Sequence, residues 1–161
     1  MTLDGLDALD RWILGELQRE ARHISSRDIA AEVNASPSTV RKRIQRLERQ
    51  HVITQYTACV DYEAAGYQLH VQIACTAPVS DRNELCDAAL SIRGVVGVRE
   101  LATGGRNVVV TAVGEDGDDL TRITEELSEL GLTIVDEALV RQDRLLPFSG
   151  FLAPDSSEQA R

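Results

Sequence analysis

"SPSTVRKRIQRLERQ", residues 36–50, gathers five basic residues into fifteen positions of a chain whose formal net charge is −9. The stretch is suited to start a helix. Ser36 is a good N-cap, and Pro37 fits the first helical position because its missing N–H would have no helical partner there. Val40, Ile44 and Leu47 fall on one stripe. Turning the helix about 100° per residue from Val40 places Ser38, Lys42, Gln45, Arg46 and Arg49 outward, flanked by Thr39 and Arg41. A solvated charged face normally mixes both signs, whereas here Glu48 alone interrupts the basic run. The face fits a polyanion. Ser36, Ser38, Thr39, Arg41, Lys42, Gln45, Arg46 and Arg49 are therefore the candidate DNA contacts.

Upstream, Ser25 and Asp28 have the spacing of a capping box opening the short helix "SRDIAAEV", and "NAS" makes a tight break before Ser36. Before that, Leu6, Leu9, Ile13, Leu14 and Leu17 recur at helical spacing and predict a longer helix from about Leu6 to Arg22. A helix, a short turn and a second helix, with a preceding helix to complete the core, is a helix-turn-helix. Ala30 and Ala31 help, since small side chains near the turn let the two helices approach.

Beyond residue 56 the period changes. "LHVQIACT" (69–76), "VVGVREL" (95–101), "NVVVTAV" (107–113) and "LTIVDEALV" (132–140) are rich in β-branched residues and read as strands. "DRNELCDAALSI" and "DDLTRITEELSEL" read as the intervening helices, and "TGGRN" as a hairpin turn. The order β-α-β-β-α-β is the ferredoxin-like split motif. Its sheet has one face that helices leave open, so self-association is expected. The fold class is α+β, with a helix-turn-helix domain (1–56), a connection (57–68), a ferredoxin-like domain (69–146) and a flexible tail (147–161).

Charge follows the same division. Residues 1–56 hold nine Lys/Arg and eight Asp/Glu, while residues 57–161 hold eight and eighteen. One half can meet a polyanion and the other carries the surplus acid. Lys42 is the one lysine among seventeen basic residues, and excess carboxylate with so little lysine resembles the cytosolic proteins of extreme halophiles, here a halophilic archaeon. No window approaches the length of a membrane span, and the acidic start lacks an apolar signal core, so a cytoplasmic protein is expected. Cys59, Cys75 and Cys86 form no CxxC pair and read as buried reduced thiols.

"LDALDRWILGELQREAR", "SPSTVRKRIQRLE" and "VITQYTACVD" together resemble the Lrp/AsnC family of leucine- and asparagine-responsive prokaryotic regulators, over about residues 3 to 146. The resemblance implies a transcription regulator with a winged or plain helix-turn-helix. It also implies a ferredoxin-like domain, called RAM, that forms dimers and in some members octamers, and that binds an amino acid or related small metabolite. By the same resemblance, Thr103, Gly104, Gly105, Asn107 and Thr133 are the candidate effector residues, and the DNA partner is a double-stranded promoter operator with an imperfect palindrome. The chain departs from the family at His51 and Gln55, where glycine is usual, and at Asn107, where an acid is common. Histidine can still take the left-handed conformation that ends a helix. Without the acid, a neutral or anionic effector is favoured over a free amino acid.

Other chemistry finds little footing. His23, His51 and His70 lie near no metal-ligand spacing, and no nucleophile elbow, phosphate loop or dinucleotide fingerprint follows a strand. The acidic run "GEDGDDL" lacks the ligand spacing of a calcium loop and suits a helix start instead. Neither a metal nor a cofactor is expected. Two other classes share this architecture: an enzyme resembling the sirohaem decarboxylases, which needs cationic or imidazole groups around a tetrapyrrole, and a ligand-sensing assembly module without DNA binding. The basic groups sit on the candidate recognition helix and not in the second half, which favours the regulator.

Overall fold

The computed structural model describes residues 5–102 and 104–151, which divide into two compact units. The first contains residues up to Ala58 together with the segment from Arg144, and the second runs from Cys59 to Asp143.

Three helices form the first unit: α1 (Ala8–Arg19), α2 (Ser26–Glu32) and α3 (Pro37–Arg49). Helix α1 is shorter at both ends than the apolar spacing suggests, because polar side chains stop it. Asp7 caps its start, accepting from the Asp10 N–H at 2.9 Å while Asp10 Oδ2 accepts from the Asp7 N–H at 3.1 Å. At the other end Glu20 leaves the helical region, and its carboxylate accepts from the N–H groups of Arg22 and His23. Ser25 and Asp28 form the expected capping box on α2. Ser36 caps α3 by accepting from the Thr39 N–H at 3.1 Å, with Pro37 in the first turn. Ile13, Leu14, Ile29, Ala30, Val40 and Leu47 make the core, and Leu6, Leu9, Trp12, Leu17 and Ile44 pack around it. Each fully buried aliphatic side chain contributes about 1.5–3 kcal/mol relative to exposure.

Two non-glycine residues take positive φ, Asn34 at 43° and His51 at 55°, one after each helix of the helix-turn-helix. His51 ends α3 as expected: its N–H donates to the Glu48 carbonyl and the Val52 N–H to the Leu47 carbonyl, the paired bonds of a Schellman motif. Histidine carries a steric penalty there that glycine lacks. Replacing His51 with glycine is expected to stabilise the unit by about 0.5–1 kcal/mol, seen as a higher denaturant midpoint at unchanged slope.

The second unit has the expected β-α-β-β-α-β order: β1 (Leu69–Thr76), α4 (Arg82–Ala89), β2 (Val95–Glu100), β3 (Val108–Gly114), α5 (Gly117–Glu129) and β4 (Thr133–Leu139). The antiparallel sheet runs β2-β3-β1-β4, with Ile73 opposite Val110 on one side and Glu137 on the other. Val71, Ile73, Cys75, Val108, Val110 and Ala112 point to the helices, where Ala89, Ile123 and Leu127 meet them. The opposite face, including Gln72, Ala74, Val109 and Thr111, is not covered by the described helices α4 and α5 of this unit.

Two expectations change. Cys75 and Cys86 are buried, and burial pushes their thiols up, Cys75 to about 11, but Cys59 is exposed because it lies in the extended connection outside any element. The start of the segment expected as a flexible tail packs on the first unit. Ser149–Phe151 form a turn of 3₁₀ helix in the first unit, the Phe148 N–H donates to Gln18 Oε1 at 3.1 Å, and Phe151 packs against the helical core. Residues 152–161 lie outside the described residues. Among the described residues, no helix is long and apolar enough to cross a membrane.

Candidate nucleic-acid interface

Helix α3 is held by its inner stripe, since Val40 and Leu47 are fully buried. That anchoring fixes what its outer face presents. Ser36, Ser38, Thr39, Arg41, Lys42, Gln45 and Arg49 are all exposed. The Ser36 hydroxyl lies 2.9 Å from that of Ser38 and 2.8 Å from that of Thr39, so three hydroxyls cluster at the helix N-terminus. A helix start presents free N–H groups and the positive end of the helix dipole, both suited to a phosphate. Arg41, Lys42 and Arg49 form no ion pair among the described residues.

Arg46 departs from this pattern. It was expected outward, but its guanidinium Nη2 pairs with Asp10 Oδ2 in the first turn of α1. Arg43 turns the same way, donating from Nη1 to Asp7 Oδ2 at 2.5 Å and to Asp10 Oδ1 at 3.2 Å. The Asp10 side chain is 0% exposed, against 29% for Arg43 and 33% for Arg46. A buried carboxylate needs compensating charge, and it takes both arginines from the edge of the candidate surface. Arg46 Nε is buried with no hydrogen-bond partner, a sign of how far that side chain leans inward. Burial alone would raise the Asp7 carboxyl, but the Asp10 N–H and the Arg43 guanidinium outweigh it and hold Asp7 below its ordinary value. The hydrogen bond to Asp7 in turn raises Arg43. The signal for this network was in the sequence: two aspartates three apart on α1 and two arginines three apart on α3.

Glu48, the acid among the bases, is also engaged. The Tyr56 hydroxyl donates to its Oε1 at 3.0 Å. Burial, reinforced by that carboxylate, pushes the Tyr56 phenol up to about 12, so it remains a donor at neutral pH.

In the second unit the candidate effector residues differ in exposure. Asn107 is only 8% exposed. Its Oδ1 accepts from the Ala77 N–H and its Nδ2 donates to the Ala77 carbonyl, both at 2.8 Å. Each polar atom thus has a backbone partner, and Asn107 ties the turn before β3 to the end of β1. Gly104, Gly105 and Thr133 are exposed, and the Gly105 carbonyl accepts from Thr76 Oγ1 at 2.6 Å. Thr103 lies outside the described residues. Among the described residues, no three His, Cys, Asp or Glu side chains group as metal ligands.

The winged helix-turn-helix DNA-binding family matches residues 6–54, which span α1 to α3 and the Schellman turn. An uncharacterized HTH-type transcriptional regulator of Pyrococcus abyssi is 32% identical over 120 residues, 74% of this chain and 80% of that protein. The leucine-responsive regulatory protein of Salmonella typhimurium is 38% identical over 87 residues, 53% of this chain and 52% of its own length. Among solved structures, a transcriptional regulator of Neisseria meningitidis in complex with L-methionine superposes with a TM-score of 0.71 at 22% identity, over 95% of this chain and 99% of that one. The first of these relatives matches over more residues than either unit holds, and the Neisseria structure covers 95% of this chain. The chain belongs to the Lrp/AsnC family of HTH-type transcriptional regulators.

Proposed function

We propose that the protein is a cytoplasmic, sequence-specific regulator that reads double-stranded promoter DNA with the outer face of α3. The observation that carries this reading is the composition of that face. Arg41, Lys42 and Arg49, which form no ion pair among the described residues, stand beside the neutral side chains of Ser38, Thr39 and Gln45 on a helix whose opposite side is locked in a core. Cations supply phosphate contacts, while hydroxyls and amides can hydrogen-bond base edges.

The reading includes a homodimer, with an octamer as a further assembly of the same unit. The open face of the sheet, with Ala74 and Val109 in register, is a natural seat for a second copy. A two-fold pair of recognition helices would read half-sites about one helical turn apart, hence an imperfect palindrome. Sequencing the DNA that co-purifies with the protein, then measuring retardation of the recovered fragment, tests both points. Recovery of one palindromic motif, bound by a protein that sediments as a dimer or larger at micromolar concentration, is expected. A monomer that retards every duplex alike would contradict the reading.

A small metabolite is the proposed modulator, at the turn of Gly104 and Gly105 with Thr133 nearby in the fold. The regulator of Neisseria meningitidis was solved with L-methionine, and no carboxylate stands at position 107 here to meet an ammonium group. A neutral or anionic effector suits the site better than a free amino acid. The acid-rich second half, with Lys42 the one lysine, suits the concentrated salt of a halophilic archaeon. Specific binding should then persist above about 1 M KCl, where screening acts over roughly 3 Å.

A further inference from the structure

Five cations lie on α3, but the geometry divides them. Arg41, Lys42 and Arg49 are exposed and free of ion pairs among the described residues, whereas Arg43 and Arg46 are drawn to carboxylates of α1. Those carboxylates are fixed independently of α3. Asp7 and Asp10 hold each other through a reciprocal capping box, so their direction is set by the start of α1. Asp10 has no access to water and both arginines reach it, which makes it the hub.

We propose that Asp10 is a positioning residue that sets how much charge the recognition helix shows to DNA. By holding Arg43 and Arg46 it limits each α3 to three phosphate-facing cations and leaves discrimination to Ser38, Thr39 and Gln45. The inference rests on the reading of α3 as the DNA-facing helix. Its physical content is a salt dependence. Each neutralised phosphate adds about 0.9 to the slope of log affinity against log salt. Three cations per helix correspond to a slope of about 2.7 in magnitude, and five to about 4.5. Each arginine released would tighten binding to an unrelated duplex by up to about eightfold at 0.1 M salt relative to 1 M, and would narrow the gap between specific and unrelated DNA.

The test measures affinity of the full chain for a duplex of unrelated sequence across a range of KCl. For Asp10→Asn the slope should steepen by about 0.9 per subunit, because Arg46 is released while Arg43 keeps Asp7, with tighter unrelated binding at low salt. Lost folding alone would reduce the active fraction and leave the slope unchanged. Asp7→Asn is the milder variant should Asp10→Asn fail to fold. Asparagine can still cap α1, and Arg43, left with its longer 3.2 Å contact to Asp10, should steepen the slope by a part of about 0.9. Arg46→Gln should leave the slope at its wild-type value, because Arg46 makes no phosphate contact in this arrangement. A wild-type slope in both aspartate variants, or a slope shallower by about 0.9 in Arg46→Gln, overturns the proposal. Absence of any DNA binding by the wild type at low salt would instead overturn the DNA-facing reading of α3, and the proposal with it.

Discussion

Replacing Asp10 with alanine is expected to cost the DNA-binding unit about 3 kcal/mol. The carboxylate has no contact with water, and it accepts from the Asp7 N–H and from the guanidinium groups of Arg43 and Arg46. Alanine leaves the Asp7 N–H and Arg46 without their acceptor, while Arg43 keeps Asp7, and it removes one arm of the capping box that starts α1. Breaking a buried pair from one side costs about 3–5 kcal/mol, and the lower end applies because both arginines retain some access to solvent. In a unit this small each kcal/mol moves the melting temperature by about 4–8 °C. Circular dichroism of the full chain should therefore show helix loss more than about 10 °C earlier. A change of under about 2 °C, equivalent to less than about 0.5 kcal/mol, would show that the pairing contributes little.

Gly94→Ala should be comparably severe in the other unit. Gly94 adopts φ +96°, a region that side-chain-bearing residues rarely occupy. An added Cβ would sit 2.7 Å from Ile123 Cδ1 and 2.8 Å from the Val113 carbonyl oxygen. The isoleucine tip can shift, but the carbonyl belongs to β3. Gly94 also cannot retreat freely, since its own carbonyl accepts from the Val113 N–H at 2.8 Å. Backbone strain of about 1–3 kcal/mol and overpacking of similar size add to about 3 kcal/mol or more. Urea unfolding at fixed protein concentration should show a markedly lower midpoint, and an unchanged midpoint would contradict the steric argument.

Local signals made most of the fold legible in the sequence. Richness in β-branched residues located all four strands, and the capping residues Ser25 and Ser36 located α2 and α3. The ends of α1 were less legible, because apolar spacing continues past the point where Asp7 and Glu20 take over the backbone N–H groups. Side-chain direction at the interface was only partly legible. A helical projection places Arg46 by angle alone, but its long side chain follows charge, and the buried Asp10 lies in a different helix. Asn107 shows the same limit. Its amide looks available in a glycine-rich turn, yet the backbone of Ala77, thirty residues away in sequence, partners both polar atoms. The packing of Phe151 on the helical core was missed for a similar reason, since two phenylalanines in a polar terminal segment carry no periodic signal.

The account rests on α3 meeting DNA through its outer face, and one comparison tests that most directly. The full chain and its Lys42→Ala/Gln45→Ala variant are titrated against the palindromic fragment recovered from the organism's own DNA. Both residues are exposed and neither supports the core, so the circular dichroism spectrum and melting temperature should match those of the wild type. Specific affinity should fall at least about tenfold, as expected when base or phosphate contacts of roughly 1–3 kcal/mol are lost. Unchanged affinity in the folded variant would show that this face of α3 does not read the operator.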